Sequence, residues 1–90
     1  MNEDKFAALK KKLDESLTYP SVYMFKFILE ADNRKIALVE NLFETDAEVY
    51  TKESDKGKYI SITINAVMIS TEEIIEIYRK ASDIKGVMYL

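Results

Sequence analysis

The chain has 90 residues, the length of a single domain, and 48% of them are apolar, which is typical of a globular chain. It contains neither cysteine nor histidine, which excludes disulfides, thiolate nucleophiles, cysteine-held iron–sulfur clusters and the most versatile general base. The net charge of −3 argues against a nucleic-acid partner, because phosphate binding depends on clustered lysine and arginine.

The N-terminal segment "MNEDKFAALKKKLDESL" predicts an amphipathic helix over residues 3–17, with Asn2 as a plausible N-cap. Its apolar residues recur at spacings of three and four: Phe6, Leu9, Leu13 and Leu17. The dipeptide Tyr19-Pro20 ends the helix, because proline disfavours the α conformation in the residue before it. We therefore divide the chain into a helix at residues 1–18 and a domain at residues 19–90.

This N-terminal segment has charges throughout and no apolar run of signal-peptide length. No stretch of the sequence reaches the roughly 20 apolar residues of a membrane-spanning helix. We therefore expect a cytoplasmic protein without a membrane partner.

The next stretch, "SVYMFKFILE", alternates as a β-strand does. Lys26 identifies the outer face, because an unpaired lysine is almost never fully buried. The inward set is then Tyr23, Phe25, Phe27 and Leu29, and the outward set is Val22, Met24, Lys26 and Ile28.

A second helix follows, capped by Asp32 or Asn33, with an apolar stripe of Ile36, Val39, Leu42 and Phe43. A strand over residues 47–53 leads into the turn "SDKGK", where Gly57 takes the left-handed conformation. The charges on this strand and turn are interpreted as solubilising edge charges.

The third strand, "YISITINAVMI", has the clearest alternation in the sequence. Ile60, Ile62, Ile64, Ala66 and Met68 face inward, and Tyr59, Ser61, Thr63 and Asn65 face outward. Ser70 and Glu73 form a capping box for a last helix, which is followed by a turn at Gly86 and a strand "VMYL". That helix turns Ile74, Ile77, Tyr78 and Ala81 inward.

This order predicts an α+β, ferredoxin-like β-α-β-β-α-β two-layer sandwich with an extra N-terminal helix. Strands one and three lie centrally, and two helices cover one face. The predicted core is Phe25, Phe27, Ile36, Val39, Phe43, Ile60, Ile62, Ile64, Ile74 and Tyr78.

The stretch "KGKYISIT" is similar to the start of the main RNA-reading strand of an RRM. In an RRM the third and fifth positions are aromatic and project from the open sheet face. Here those positions are Lys58 and Ile60, and Ile60 belongs to the inward set, so the register is opposite to that of an RRM. We expect no nucleic-acid partner.

The Tyr19-Pro20 entry to a strand containing Lys26, the hairpin "SDKGKYISITINA" and the end "GVMYL" resemble the YbeD-like family of small bacterial proteins of unknown function. The resemblance covers about residues 17–90. It implies the same β-α-β-β-α-β fold, which is similar to that of ACT domains, the regulatory modules that pair side by side and bind amino acids. It implies no catalytic residues.

The sequence disfavours three kinds of site: an ACT-type amino-acid site, an acylphosphatase-type anion loop and a carboxylate metal site. The loop "EADNRK" lacks the glycine of ACT-type amino-acid sites and the glycine-rich anion loop of acylphosphatases, although Arg34 lies nearby. Glu72 and Glu73 suit the first turn of a helix, and Glu76 stands four residues before Lys80, which favours a surface ion pair over a metal site. We expect no enzyme activity, cofactor or metal.

The sequence thus favours a regulatory or protein-interaction module that acts through its sheet face and self-association, with an unidentified protein partner. A homodimer is one form that such a module can take. The candidate interaction surface is Lys26, Ser61, Thr63 and Asn65. The alternative is an ACT-like binder of a small metabolite at a dimer groove.

The apolar half of the outer face, with Val22, Met24 and Ile28, needs cover, as does the stripe of the N-terminal helix. We expect that helix to pack over the strand-one side of the outer face, in its own subunit or across a dimer. This would leave the polar half around Thr63 to a partner. The alternative is a helix beside the sheet, with the outer apolar residues as scattered surface.

Overall fold

The computed structural model of the protein describes residues 5–44 and 46–90. The elements in chain order are α1 (Ala7–Ser16), β1 (Ser21–Glu30), α2 (Asn33–Glu40), β2 (Glu48–Glu53), β3 (Tyr59–Met68), α3 (Thr71–Ser82) and β4 (Met88–Tyr89). The predicted α+β architecture is confirmed. The predicted start of the first helix at residue 3 and its Asn2 cap lie outside the described residues. No described helix combines the length and the hydropathy needed to cross a bilayer.

The four strands form one antiparallel sheet in the order β2-β3-β1-β4. β1 and β3 are therefore central and pair along their whole length, with Phe25 opposite Ile64 and Phe27 opposite Ile62. This register places the apolar face of one strand beside the apolar face of the other, as the alternation requires.

The core lies between this apolar face and the helices α2 and α3. Phe25, Phe27, Ile62 and Ile64 have no exposed surface. Eight of the ten predicted core residues are buried, and the other two, Ile36 and Phe43, are half-buried and pack against the core. The eight are Phe25, Phe27, Val39, Ile60, Ile62, Ile64, Ile74 and Tyr78.

Both helices of this layer begin with a side-chain cap. The Asp32 carboxylate accepts hydrogen bonds from the backbone N–H groups of Arg34 at 2.9 Å and Lys35 at 3.4 Å. At α3, the Ser70 hydroxyl accepts from Glu73 N–H at 3.1 Å. The Glu73 carboxylate in turn accepts from Ile69 N–H at 2.8 Å, one residue before the cap. The bonds of the Arg34, Lys35 and Glu73 N–H groups satisfy backbone donors that the first helical turn leaves free.

Two glycines in left-handed backbone form the turns that precede β3 and β4. Gly57 has φ +69° and Gly86 has φ +83°, a backbone region that residues with a Cβ rarely adopt. The last strand is shorter than predicted, since β4 pairs with β1 only at Met88 and Tyr89. A further bond from Leu90 N–H to the Lys26 carbonyl, at 3.1 Å, continues the register.

Aromatic rings fill the core around Tyr78. Its ring lies 5.4 Å from that of Phe25 and 5.1 Å from that of Tyr89, measured between ring centres. The Tyr78 hydroxyl is 3.1 Å from that of Tyr23, a hydrogen bond that satisfies it within the core. Burial, assisted by this bond to Tyr23, raises the pKa of Tyr78 above its ordinary value.

The helix α1 packs against α3, not over the outer face of the sheet. Phe6, which immediately precedes α1, and Leu13 of α1 are buried in the core cluster. The same cluster contains Ile75 of α3, which is only 6% exposed. The expectation that α1 covers the β1 side of the outer face of its own subunit is therefore wrong. The physical reason is that α3 carries apolar residues on two sides: Ile74 is fully buried in the core, and the neighbouring Ile75 lines a groove together with Phe6 and Ala7 at the start of α1.

Polar contacts fix the same packing around Thr71, the buried polar residue at the start of α3. The Tyr19 hydroxyl lies 2.7 Å from Thr71 Oγ1. Hydrogen bonding to Thr71, and then to Lys10, lowers the pKa of Asp14 on α1. The Tyr19–Thr71 bond joins the linker before β1 to the first turn of α3, and Lys10 of α1 forms an ion pair with Glu72 of α3 at 3.6 Å.

Removing the side chain of Ile62 tests the register of the central strands. We expect Ile62→Ala to lower the free energy of unfolding by roughly 2 to 5 kcal/mol in urea, because it leaves a cavity in the core. Ser61→Ala, on the opposite face of the same strand, is the matched control and should change it by about 0.5 kcal/mol or less. A loss of under about half a kilocalorie in the Ile62 variant would mean that the faces are reversed.

Truncating Leu13 tests the position of α1. Leu13→Ala should lower the free energy of unfolding by about 2 kcal/mol or more, because this side chain is buried in the cluster shared with α3. The adjacent Lys12→Ala should be nearly neutral, since Lys12 is exposed. Equal urea midpoints for the two variants would contradict the packing of α1 against α3.

Candidate functional site

The face of the sheet opposite α2 and α3 is bare of every described helix, and we call it the open face. It consists of the outward side chains of the four strands. Two of these on β1, Val22 and Met24, are 66% and 59% exposed. This face is the surface on which the sequence placed its candidate interaction residues.

The structure brings the four predicted residues together. Lys26 of β1 stands directly opposite Thr63 of β3, and Ser61 and Asn65 lie two residues to either side of Thr63 on the same face. Lys26 is exposed, and the other three are half-buried. Within the described part of the chain, no carboxylate forms an ion pair with Lys26.

The half of the open face that belongs to β1 and β4 is apolar. Met88 stands opposite Ile28, and Leu90 lies beside Lys26 through its backbone hydrogen bond. Met88 is 59% exposed and Leu90 is 70% exposed. Sequence reasoning missed both, because the face of a two-residue strand follows from its pairing with β1. The signal was the alternation in "VMYL", where Tyr89 belongs with the core.

The half that belongs to β3 and β2 is more polar. Tyr50 stands opposite Thr63, flanked by Glu48 opposite Asn65 and by Lys52 opposite Ser61. The Tyr50 hydroxyl lies 3.5 Å from the Glu48 carboxylate. Sequence reasoning also missed Tyr50, which is an exposed aromatic residue on this face.

Val67 and Tyr59 of β3 extend the open face at its two ends. Val67 of β3 stands opposite Val22 of β1, and both are exposed. At the other end, Tyr59 stands opposite Glu30. Exposed apolar or aromatic side chains thus occur along the length of the central strands, on either side of Lys26.

Two backbone N–H groups that follow the loop between β1 and α2 already have an acceptor. The N–H groups of Arg34 and Lys35 at the start of α2 already donate to the Asp32 carboxylate. A ligand that used these amides would first have to displace Asp32.

The acidic residues at the start of α3 have structural partners. Glu73 caps the helix, and Glu76 forms an ion pair with Arg79 at 2.8 Å. The expected pairing of Glu76 with Lys80 is therefore wrong, because the side chain of Glu76 turns to the residue three positions ahead. In the described residues no three carboxylates lie close enough to hold a metal ion.

Comparison with known proteins gives a family. A model described as "Protein of unknown function (DUF493)" matches residues 14–90. The chain belongs to the DUF493 family. It is 34% identical to a UPF0250 protein of Shewanella piezotolerans over 83 residues, which is 88% of this chain and 94% of the relative. A UPF0250 protein of Shewanella halifaxensis is 35% identical over the same shares of both chains. No solved structure matches the chain significantly.

These matches confirm the resemblance to the YbeD-like family of uncharacterised small bacterial proteins. The DUF493 match at residues 14–90 includes all four strands and therefore the whole open face. Most of α1 precedes it, since this helix begins at Ala7.

Proposed function

We propose that this DUF493 chain is a non-enzymatic regulatory or protein-interaction module that acts through its open face and by self-association. The observation that carries the proposal is the exposed apolar surface of the open face. Single exposed apolar residues are ordinary, whereas a contiguous apolar patch is typical of an interaction site.

The patch is contiguous because its members are neighbours in the sheet. Val22 and Val67 face each other across β1 and β3, and Met24 is the next outward residue on β1. On the other side of Lys26, Ile28 neighbours Met88 of β4. Side chains that are paired or adjacent on one sheet face are within contact distance of a common partner.

The chemistry of this surface indicates the kind of partner. Apolar side chains lie on both sides of Lys26, whose ammonium has no ion-pair partner among the described residues. A protein surface with apolar side chains around one carboxylate would match this arrangement. Such a charge contributes mainly to specificity and to the rate of association, while the apolar contacts supply the affinity.

The wider assignments belong to this proposal. The strand order β2-β3-β1-β4, with α2 and α3 on one face, supports a ferredoxin-like fold to which α1 is added. The absence of histidine and cysteine from the sequence supports a non-enzymatic role. The acidic net charge supports a protein partner over RNA, and we propose a cytoplasmic location.

The alternative, a metabolite site like that of ACT domains, is the weaker candidate. Its usual loop lacks glycine here, and Asp32 occupies the backbone amides at the start of α2. We therefore expect no free amino acid to raise the melting temperature of the chain in a thermal-shift screen. A ligand at 100 times its Kd would stabilise the protein by about 2.7 kcal/mol, so a dose-dependent rise of several degrees would favour the alternative.

Capture of partners from a nuclease-treated bacterial extract tests the open face. We expect a protein that is recovered with the native chain to be lost with Met24→Asp, because a carboxylate would be buried in the apolar contact. Leu38→Asp is the matched control. It makes the same kind of change at an exposed residue of α2, on the other layer, and should retain the partner.

The binding of each variant to the purified partner is then measured by calorimetry. Circular dichroism and urea unfolding establish that both variants keep the native fold. Equal affinity of the native chain, Met24→Asp and Leu38→Asp would show that the open face is not the interaction surface.

A further inference from the structure

The strand β2 is an edge of the sheet that no other described element covers. All six of its residues, Glu48–Glu53, are exposed, and its pairing with β3 runs without a bulge. It contains no proline. The opposite edge, β4, has only two residues. An edge strand of this length presents a row of unpaired backbone groups that can pair with another strand.

The backbone groups that point away from β3 can be identified. Ser54 N–H donates to the Tyr59 carbonyl at 2.9 Å, so these two residues form a hydrogen-bonded pair of the ladder. Because such pairs alternate along antiparallel strands, Tyr50 and Lys52 also bond towards β3. Val49, Thr51 and Glu53 therefore direct their N–H and C=O groups towards the free edge.

This alternation limits how β2 can pair with the same strand of a second copy. Two antiparallel copies bond only where an outward-bonding residue of one stands opposite an outward-bonding residue of the other. In one register that satisfies this rule, Val49 of each copy stands opposite Thr51 of the other. The Tyr50 residues of the two copies then face each other at the two-fold axis. The pairing of Tyr50 with itself is then non-hydrogen-bonded, which is the arrangement with the closer side chains.

The charges of β2 are complementary in this register. Glu48 and Lys52 lie on the same face as Tyr50, two residues to either side of it. Glu48 of each copy would therefore stand opposite Lys52 of the other, which gives two ion pairs around a central pair of tyrosine rings. Opposite charges and aromatic pairs at facing positions stabilise antiparallel strands.

We propose that a second copy of this chain binds at the β2 edge, by antiparallel pairing centred on Tyr50 and selected by the Glu48–Lys52 ion pairs. The two sheets become one continuous sheet, and both open faces lie on the same side of it. This inference specifies the self-association in the proposed function and rests on it. The open face stays free for a different partner.

The two neighbouring registers that keep the hydrogen-bond alternation lose both ion pairs. A shift in one direction puts Thr51 opposite itself and Lys52 opposite Tyr50. A shift in the other puts Val49 opposite itself and Glu48 opposite Tyr50. The charges of β2 thus discourage pairing with strands in general, as edge charges do, while they favour one pairing with a second copy.

Charge reversal on β2 tests this proposal, with the dissociation constant of the dimer measured by analytical ultracentrifugation at low salt. Lys52→Glu and Glu48→Lys should each weaken dimerisation by about tenfold or more, because both attractive pairs become repulsive. The double variant Glu48→Lys/Lys52→Glu should restore the native dimer, since it exchanges the two charges. All three variants change exposed residues only, and circular dichroism checks their fold.

Single cysteines test the register, because the native chain has none. Under mild oxidation, Tyr50→Cys should form a disulfide between two copies, since facing Cα atoms of a non-hydrogen-bonded pair lie about 4.5 Å apart, within disulfide range. Thr51→Cys should not, because Thr51 faces Val49 of the other copy. Lys12→Cys, on the exposed side of α1, measures disulfides formed by random collision.

The outcomes separate this proposal from the wider one. A dimer whose stability is unchanged by the charge reversals, or that forms disulfides through Thr51→Cys rather than Tyr50→Cys, overturns pairing at β2 and leaves self-association in place. A native chain that stays monomeric at millimolar concentration overturns both. Weakening in the single variants with restoration in the double variant supports the β2 pairing.

Discussion

The antiparallel pairing of β1 with β3 is the constraint on which the rest of the structure depends. This pairing places Phe25 opposite Ile64 and Phe27 opposite Ile62. All four side chains are fully buried. Because side chains alternate along a strand, the same pairing directs Lys26 and its neighbours to the other face. The layer of α2 and α3 and the open face are thus two results of one register.

The N-terminal helix α1 forms a second packing interface, with the helix α3. Ile75 of α3 is buried in one cluster with Leu13 of α1 and with Phe6, the residue just before α1. Polar contacts lie at the same place, between Tyr19 and Thr71 and between Lys10 and Glu72. Since α1 is occupied there, the apolar part of the open face stays exposed.

The molecule therefore offers two surfaces of different character in one sheet. The open face presents apolar side chains around a cationic centre, and the β2 edge presents backbone groups between charges of opposite sign. A face contact relies on apolar burial, whereas an edge contact relies on hydrogen bonds in a fixed register. The two proposed contacts are compatible, because a strand added at the edge does not cover the face.

The sequence by itself determined the type and order of the helices and strands and the inward and outward faces of β1 and β3. It also determined that Lys26, Ser61, Thr63 and Asn65 point outward. Each of these follows from local periodicity, capping or turn chemistry, which acts over a few residues. Only the tertiary structure decided that α1 packs on α3 and that Met88 and Leu90 complete the apolar half of the open face. An apolar stripe indicates that a helix packs against another apolar surface. Which surface that is depends on residues far away in the sequence, because it must be one that is still exposed after the sheet and the other helices have assembled.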